Sequence, residues 1–581
     1  MHLAETPLVT PGRRTRSAVS ALPEPPAQWH RVLTLLSAVS LFIGTRSVWS
    51  TAASHKVVVA AVISVCYASI LVCGVLALVV RRARSLARVD LGVLVTAVVL
   101  VLCAWAVYHQ GGDEAVLTTQ AAREIAAGRP VYGRPWPWLF GHGTVALTPT
   151  VYGGYDFTYG YPPLAPLLTA PLLWLGHGGA PATATATGAL LVGAVALWRM
   201  LPAPWRPAAT MVCLGFSFLP MYGRQGYPAI LALALLLPAV VRWPRTGRGG
   251  VLGRAGVARA VCLGAACAAQ QLSWFVVPFL LAGIYAVRRG ELGPRAAAGV
   301  VLRIAGVAVT VWLLINAYFL AQQPAAWLKG IALPLTQGAV LHGQGLIGVS
   351  LYLTDGSDRL DWYGHASLLL AVGLLAVFVL FVRRLGPAAT VLPWCAFFLA
   401  TRSQDGYYLM MTPLWLASAV TAPLPEFAGA WQPRPRVLAG PRRHRARVAA
   451  AVLVLLPALA SATAAATGTP PLRMRVTAAR HDRATAVTLM TVRVTNTGDS
   501  ALSPHFTLTT GQGMDPYWIV AAGPRTLPAH GTARYELRPP KGTFRLPRPS
   551  VRIRLRAFTA DPQTLSSADV GSALRTSAER R

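Results

Sequence analysis

The chain predicts an α-helical polytopic membrane protein of about 13 transmembrane helices, followed by a C-terminal Ig-like β-sandwich. Three observations carry that prediction. Of 581 residues, 54% are hydrophobic and only 13% charged, with a mean hydropathy of +0.49. The apolar residues come in blocks of roughly 16–24, the length that spans a bilayer core. The last hundred residues break with this pattern and alternate like strands. Soluble domains carry about 25% charged residues, so an ordinary cytosolic enzyme is excluded. The high hydrophobic fraction excludes a disordered scaffold.

Residues 1–30 are polar and proline-rich, with Arg13, Arg14 and Arg16, and predict a disordered cytoplasmic tail. A membrane domain follows over 31–470. Its apolar blocks run at about 31–49, 57–80, 91–108, 184–199, 206–222, 227–242, 257–271, 273–287, 296–321, 363–384, 387–401, 407–423 and 446–468. A shorter one at 162–176 holds Pro162, Pro163, Pro166 and Pro171 and reads as re-entrant or juxtamembrane. All seven cysteines lie in or beside these blocks, so no disulfide framework or thiolate metal site is indicated.

The formal net charge of +33 would point to nucleic acid in a soluble protein. Here the arginines cluster by side. With the N-terminus cytoplasmic, Arg81–Arg88, Arg199/Arg206, Arg242–Arg259, Arg288–Arg295, Arg383/Arg384 and Arg434–Arg447 all fall inside. The expected location is the plasma membrane, multi-pass, with no nucleic-acid partner. The two large outer loops are then 109–161 and 322–362.

Beyond the last block, alternating stretches at Leu472–Thr477, Val487–Val494, His505–Thr510, Tyr517–Ala521, Ala533–Leu537 and Val551–Phe558 are separated by turns such as Asn496–Gly498. They predict the sandwich over 471–565, outside the cell, with a frayed tail at 566–581. Spacing on the outer loops and glycan binding are both open roles for it.

The first outer loop carries the candidate chemistry. Gly111-Gly-Asp-Glu114 follows the span ending near Tyr108, and an amphipathic helix over Ala115–Ala127 stops at Gly128. A carboxylate at the end of a membrane helix, beside an apolar pocket, has its pKa raised toward the range of a general base. The competing reading is that Asp113 and Glu114 only begin a helix, where acids are favoured. Tyr132, Trp136, Trp138, Tyr152, Tyr155, Phe157, Tyr159 and Tyr161 crowd the same loop. They fit a sugar-stacking cleft or an interfacial aromatic belt.

These residues resemble a known family. Asp113, then Ala121–Gly128 and Tyr132, resemble the first-loop signature of GT-C-type glycosyltransferases. Tyr159-Gly-Tyr-Pro-Pro-Leu164, with Pro171-Leu172, is similar to the "YPPL…PL" element of glycosyltransferase family 87, which contains polyprenyl-phosphate-mannose-dependent mannosyltransferases. Gly223-Arg-Gln225 resembles its "GQ" turn, and His342-Gly-Gln-Gly-Leu-Ile-Gly348 its "NQSLxG" segment. Tyr407-Tyr408 with Pro413-Leu414 resembles its "YY…PL" helix. The resemblance covers about 100–425. It departs from the family at Gly343 and Gly345, which flank Gln344 where the family has Asn and Ser, and at Glu114, where a hydrophobic residue is usual.

The resemblance implies transfer of a sugar, mannose first, from a polyprenyl-phosphate donor to a glycolipid or polysaccharide hydroxyl, with inversion. Asp113 is the expected base and Glu114 its reserve. Lys329, His342, Arg224 and Arg402 are the expected donor-phosphate cations, Arg402 having a rival partner in Asp405. Tyr159, Tyr161, Asp156, Gln225, Gln344 and Tyr407 are the expected substrate contacts. No cofactor is expected to be required and no metal ligand is assigned. A divalent cation has one candidate, Asp156, and a lone acid makes a poor metal site. The alternatives are a transporter or flippase of a lipid-linked sugar, which usually holds ionisable residues within its spans, and a non-catalytic scaffold of the cell envelope.

Overall fold

The computed structural model describes residues 26–140, 148–340, 342–433, 443–483, 486–511, 513–548 and 550–574. Most of the predicted tail at 1–30 and the end of 566–581 lie outside the described residues. Three long helices come first: α1 (Gln28–His55), α2 (Val57–Val79) and α3 (Ala83–Val107). Then follow α4 (Asp113–Ala126), α5 (Leu164–Thr169), α6 (Ala180–Met200), α7 (Arg206–Leu214), α8 (Phe218–Gln225) and α9 (Pro228–Val240). Next are α10 (Gly253–Ala269), α11 (Leu272–Leu292), α12 (Pro294–Gln322), α13 (Pro324–Thr336) and α14 (Asp361–Leu380). The bundle ends with α15 (Val382–Leu385), α16 (Leu392–Cys395), α17 (Asp405–Leu409), α18 (Thr412–Thr421) and α19 (Arg443–Ala466).

Among the described residues, eight helices are long and apolar enough to cross a membrane: α1, α2, α3, α6, α11, α12, α14 and α19. The other apolar blocks, counted among the predicted 13, form helices that are shorter or broken. The 206–222 block is broken between α7 and α8, where Phe216 and Ser217 take left-handed φ values of 53° and 65°. This break inserts against α1. A Cβ on Gly44 would stand 2.6 Å from the Ser217 nitrogen, and Phe216 N–H donates to the Ser40 carbonyl at 3.0 Å. In 387–401 and 407–423, Pro387, Pro393 and Pro413 each stand in the first turn of a separate segment, so each block is a series of restarts and not one continuous helix. Well inside one of these helices, Asp90 of α3 is fully buried, accepts from Thr34 at 2.7 Å, and pairs with His30 of α1 at 2.8 Å.

Two short strands in the helical region pair in parallel. In β1 (His342–Gly343) and β3 (Arg402–Ser403), His342 aligns with Arg402 and Gly343 with Ser403. A third, β2 (Gly356–Ser357), belongs to the C-terminal region, which continues with β4 (Leu472–Arg483), β5 (Ala486–Asn496), β6 (His505–Thr510), β7 (Gly513–Met514) and β8 (Ile519–Ala522). It ends with β9 (Thr532–Arg538), β10 (Phe544–Arg545), β11 (Ile553–Thr559) and β12 (Thr564–Asp569). One sheet holds β4, β5, β8, β9 and β10; the other runs β2-β12-β11-β6-β7. Val492, Val494 and Leu537 of the first share a buried core with Phe506, Leu508 and Leu555 of the second. The tail predicted from 566 begins inside β12, and Val570 and Leu574 are buried in the same core.

The two regions are tied together closely. β12 pairs with β2, so a loop of the helical region completes a sheet of the β region. Arg556 donates to the Leu351 carbonyl at 2.6 Å. Arg554 donates to the Thr354 carbonyl and to Asp355, both at 2.9 Å. Tyr517 O–H donates to the Thr150 carbonyl at 2.9 Å. The β region is therefore packed on the loops, as a spacer resting on them would be, and also contributes backbone pairing to them.

Candidate active site

Local chemistry sets both ends of α4. At its C-terminus Gly128 is left-handed (φ 66°), Arg129 N–H donates to the Glu124 carbonyl at 2.8 Å and Gly128 N–H to Ile125 at 3.0 Å. This is the Schellman pattern, which needs glycine at that place. Glu124 and Arg129 reinforce it with a fork of bonds at 2.6 and 3.2 Å, and the Arg129 hydrogen bond holds the Glu124 carboxyl below its usual range.

At the N-terminus three glycines crowd Ala115. A Cβ on Gly111, Gly179 or Gly226 would approach the Ala115 Cβ to 2.4, 2.9 or 2.5 Å. Gly111 and Gly226 also have φ near 80°, at 77° and 79°. Gly112 N–H donates to the Gln225 carbonyl at 3.1 Å, tying the turn to α8. Asp113 and Glu114 then form the first helical turn, and Asp113 Oδ1 accepts the Glu114 N–H at 2.9 Å. The helix-start reading of these acids is thus correct as local structure. Their surroundings carry a second role.

Glu114 Oε1 accepts the Tyr161 hydroxyl at 2.7 Å. Arg402, carried on β3, acts electrostatically on Tyr407, Tyr161, Glu114 and Asp113. Both residues are half-buried, with their carboxyls largely enclosed by protein. Burial, with the neighbouring Asp113 charge, pushes Glu114 up to about 8. Burial also raises Asp113, opposed by the Glu114 backbone hydrogen bond and by Arg402. Two adjacent carboxyls in low dielectric cannot both ionise readily, so one keeps a proton. Glu114 Oε2 and Arg402 Nε are fully enclosed with no hydrogen-bond partner. Buried polar atoms are rarely left so.

A cavity of about 560 Å³ adjoins this cluster, lined among others by Tyr222, Tyr227, Gln344, Tyr352 and Gln404. Tyr227 lies in the fields of Glu114, Asp113 and Arg402. Among the described residues no charged side chain lines it. The glycines flanking Gln344 have a steric reason: a Cβ on Gly343 or Gly345 would come within 2.3 Å of Ser403 atoms. Gln344 N–H donates to the Ser403 carbonyl at 2.7 Å, which holds its segment against β3.

The structure brings Asp113, Glu114, Tyr161, Arg402 and Tyr407 together, with Gln344 on the adjoining cavity. Other predicted residues lie elsewhere. Lys329 is exposed on α13 and lines neither this cavity nor a second one of about 550 Å³. Tyr159 is fully buried and donates to the Pro162 carbonyl at 3.2 Å, supporting the loop rather than facing a ligand. Asp156 Oδ1 is engaged by the Thr158 N–H and hydroxyl at 2.9 and 2.5 Å. Arg224 and Gln225 line the second cavity. The side chains of His342 and Asp405 lie outside the described residues. Tyr132, Trp136 and Tyr159 form a buried aromatic cluster with Trp327 and Phe319, which is neither belt nor cleft. Among the described residues no group of three or more His, Cys, Asp or Glu side chains gathers to hold a metal.

Tyr222, Tyr227, Tyr352 and Gln404 were not expected as cavity residues. Three of them flank the expected turns at Gly223–Gln225 and Arg402; Tyr352 had no sequence signal. No family model matches the chain, and neither a curated protein nor a solved structure does.

Proposed function

We propose that this chain is an integral membrane glycosyltransferase of GT-C-like build that takes a sugar, mannose first, from a polyprenyl-phosphate donor. In this reading the broken segments also cross the membrane, giving about 13 crossings, the N-terminus is cytoplasmic and the β region is an extracytoplasmic Ig-like sandwich. The acceptor is a hydroxyl of a glycolipid or an envelope glycan. One observation carries the reading: an adjacent acid pair, both carboxyls raised by burial, sits beside a cavity whose described lining is phenols, amides, glycines and methionines. Amides and phenols are the groups that bind a polyol.

Asp113, whose charged form the Glu114 N–H and Arg402 favour, accepts the proton of the acceptor hydroxyl as that oxygen bonds to C1 of the sugar. The bond from C1 to the phosphate oxygen breaks, the phosphate leaves with the electron pair, and the anomeric centre inverts. Glu114 stays protonated and so adds no second negative charge near the departing anion. Arg402 offsets the Asp113 charge. The test is transfer from radiolabelled polyprenyl-phosphate sugars to envelope glycolipid by the purified protein. Transfer is expected with wild type and not with Asp113→Asn; undiminished transfer by Asp113→Asn overturns the base assignment.

Transport of a lipid-linked sugar is the second reading, favoured by the buried His30–Asp90 pair within the spans. Absence of transfer from every donor, together with translocation in vesicles that Asp90→Asn abolishes, would support it.

A further inference from the structure

The two sheets of the β region have different neighbours. In the sheet of β2, β12, β11, β6 and β7, Phe558 and Leu565 share a core with Leu351, Leu360 and Tyr363 of the helical region. Arg554 and Arg556 of the same sheet bond to Leu351, Thr354 and Asp355. Its other side packs on Val492, Val494, Tyr535 and Leu537. The sheet of β4, β5, β8 and β9 therefore turns its outer side away from the helices. Strand residues alternate between faces, so with those four side chains inside, Arg493 and Arg534 face outward and are exposed.

Register puts the arginines in line. Arg475 of β4 pairs with Arg493 of β5, and Arg493 pairs with Arg534 of β9. Three guanidinium side chains thus cross three adjacent strands, whose backbones lie about 4.8 Å apart. Arg473, Arg480 and Arg538 are exposed on the same strands. Like charges set directly opposite one another destabilise a sheet. Among the described residues the row has one ion pair, Arg534 with Glu536 at 3.9 Å, and Arg475 and Arg493 have none. Residues 472–574 hold fourteen lysines and arginines against six acids. Membrane orientation does not account for that excess, because its rule acts on short loops beside the spans.

The face also selects among anionic partners. Among the described residues, β4, β5 and β9 expose no large hydrophobic side chain, the kind that anchors a protein interface. Nor do they expose an aromatic ring on which a nucleobase could stack. The face points away from the helices and so from the bilayer that would hold them. Beside the arginine row lies a second row, Arg473–Thr495–Thr532, which adds two hydroxyls. Guanidinium forks bind carboxylate or phosphate with paired hydrogen bonds. A line of them beside hydroxyls suits a hydrated chain that carries anionic groups at intervals.

We propose that the outer face of β4, β5 and β9 binds an anionic polysaccharide strand of the cell envelope through Arg475, Arg493 and Arg534. The proposal rests on the extracytoplasmic placement of the β region and is independent of sugar transfer.

The full chain in nanodiscs of neutral lipid is bound to immobilised polygalacturonate. Soluble polygalacturonate, dextran, polyglutamate and phosphatidylglycerol vesicles compete. One variant combines Arg475→Thr, Arg493→Thr and Arg534→Thr, which keeps strand-forming side chains. A second combines Arg525→Gln, Lys541→Gln and Arg548→Gln, which removes equal charge outside the row. The row variant is expected to bind roughly 5–100-fold more weakly, the worth of three exposed ion pairs acting together, and the second variant to bind like wild type. Relief of the cross-strand repulsion should leave Tm of the row variant unchanged or higher, which separates lost binding from lost fold. Equal weakening in the two variants overturns the site. Dextran competing as well as polygalacturonate overturns recognition of charge. Stronger competition by polyglutamate or by vesicles gives the face to an acidic protein or a lipid surface and overturns the polysaccharide. Placement is read separately, by labelling Ala501→Cys with an impermeant maleimide in intact cells. Labelling only after lysis removes the placement and the envelope partner with it; failure of the row alone leaves the glycosyltransferase reading untouched.

Discussion

Helix α4 carries a glutamate near each end, and the two have opposite proton affinities. Glu124, in the last turn, is gripped by both arms of Arg129 and held below the usual carboxyl range. Glu114, in the first turn, has one tyrosine hydroxyl, a carboxylate neighbour and a shared arginine, and is pushed up to about 8. The helix dipole favours the charged form at the first turn and disfavours it at the last. The order here is the reverse, with counter-ion geometry and burial outweighing the dipole. A dedicated bidentate partner makes a carboxylate structural. A shared partner and an unpartnered oxygen leave it available for chemistry.

Four substitutions test that contrast. Asp113→Asn should have the largest effect, a fall in transfer of about 10³-fold, the usual worth of a general base. A radiolabel assay at saturating donor reads it. Glu114→Gln should keep transfer near pH 7 within about tenfold, since glutamine resembles the protonated acid, yet remove the decline above pH 8. In the wild type, loss of the Glu114 proton adds negative charge beside the reaction, so the rate falls as pH rises through that value. A pH–rate profile that keeps its alkaline limb in Glu114→Gln removes Glu114 from this role. The same variant should alter stability. A carboxyl at 4.5 when unfolded and about 8 when folded stabilises fully below 4.5 and loses that contribution as pH rises toward 8. Glu114→Gln should therefore flatten the Tm profile over that window.

Glu124→Gln is expected to leave transfer near wild type and lower Tm by a few degrees above pH 5. Its sign is opposite. Glu124 binds its proton less readily when folded, so its contribution is present at neutral pH and vanishes in acid. A Glu124→Gln protein whose deficit grows on acidification breaks the contrast. The smallest effect is expected at Arg556, whose guanidinium lies 5.3 Å from the ring centre of the cavity residue Tyr352. Arg556→Met also removes the bond to the Leu351 carbonyl, so Tm should fall; the acceptor KM should rise roughly 2–5-fold, the worth of one cation–π contact, with kcat little changed. A change in kcat alone would contradict a positioning role.

Local signals were readable in the sequence and long-range ones were not. The Gly128 stop of α4 and the strand at His505–Thr510 appear where propensity places them, because glycine and alternation act within a few residues. The break at Phe216–Ser217 has no such mark. Close packing on Gly44 of α1 accommodates left-handed backbone at residues that do not prefer it. The parallel pairing of His342 with Arg402 joins positions far apart in the chain, so the company of Arg402 with the acids is a tertiary fact. Asp90 falls one residue before the apolar block predicted at 91–108 and carries no reading there; its significance comes only with His30 across from it.

The sheet shared by β2 and β12 has a thermodynamic consequence. Gly356 and Ser357 belong by sequence to the helical region and by hydrogen bonding to the β region. A chain ended at residue 470 would leave that edge unpaired and strip Leu351 and Leu360 of Phe558 and Leu565, with which they share a core. The C-terminal hundred residues and the segments bearing Gly348 and Tyr352 are thus expected to melt in one cooperative transition, and denaturant that loosens the two sheets should open the cavity wall at the same concentration.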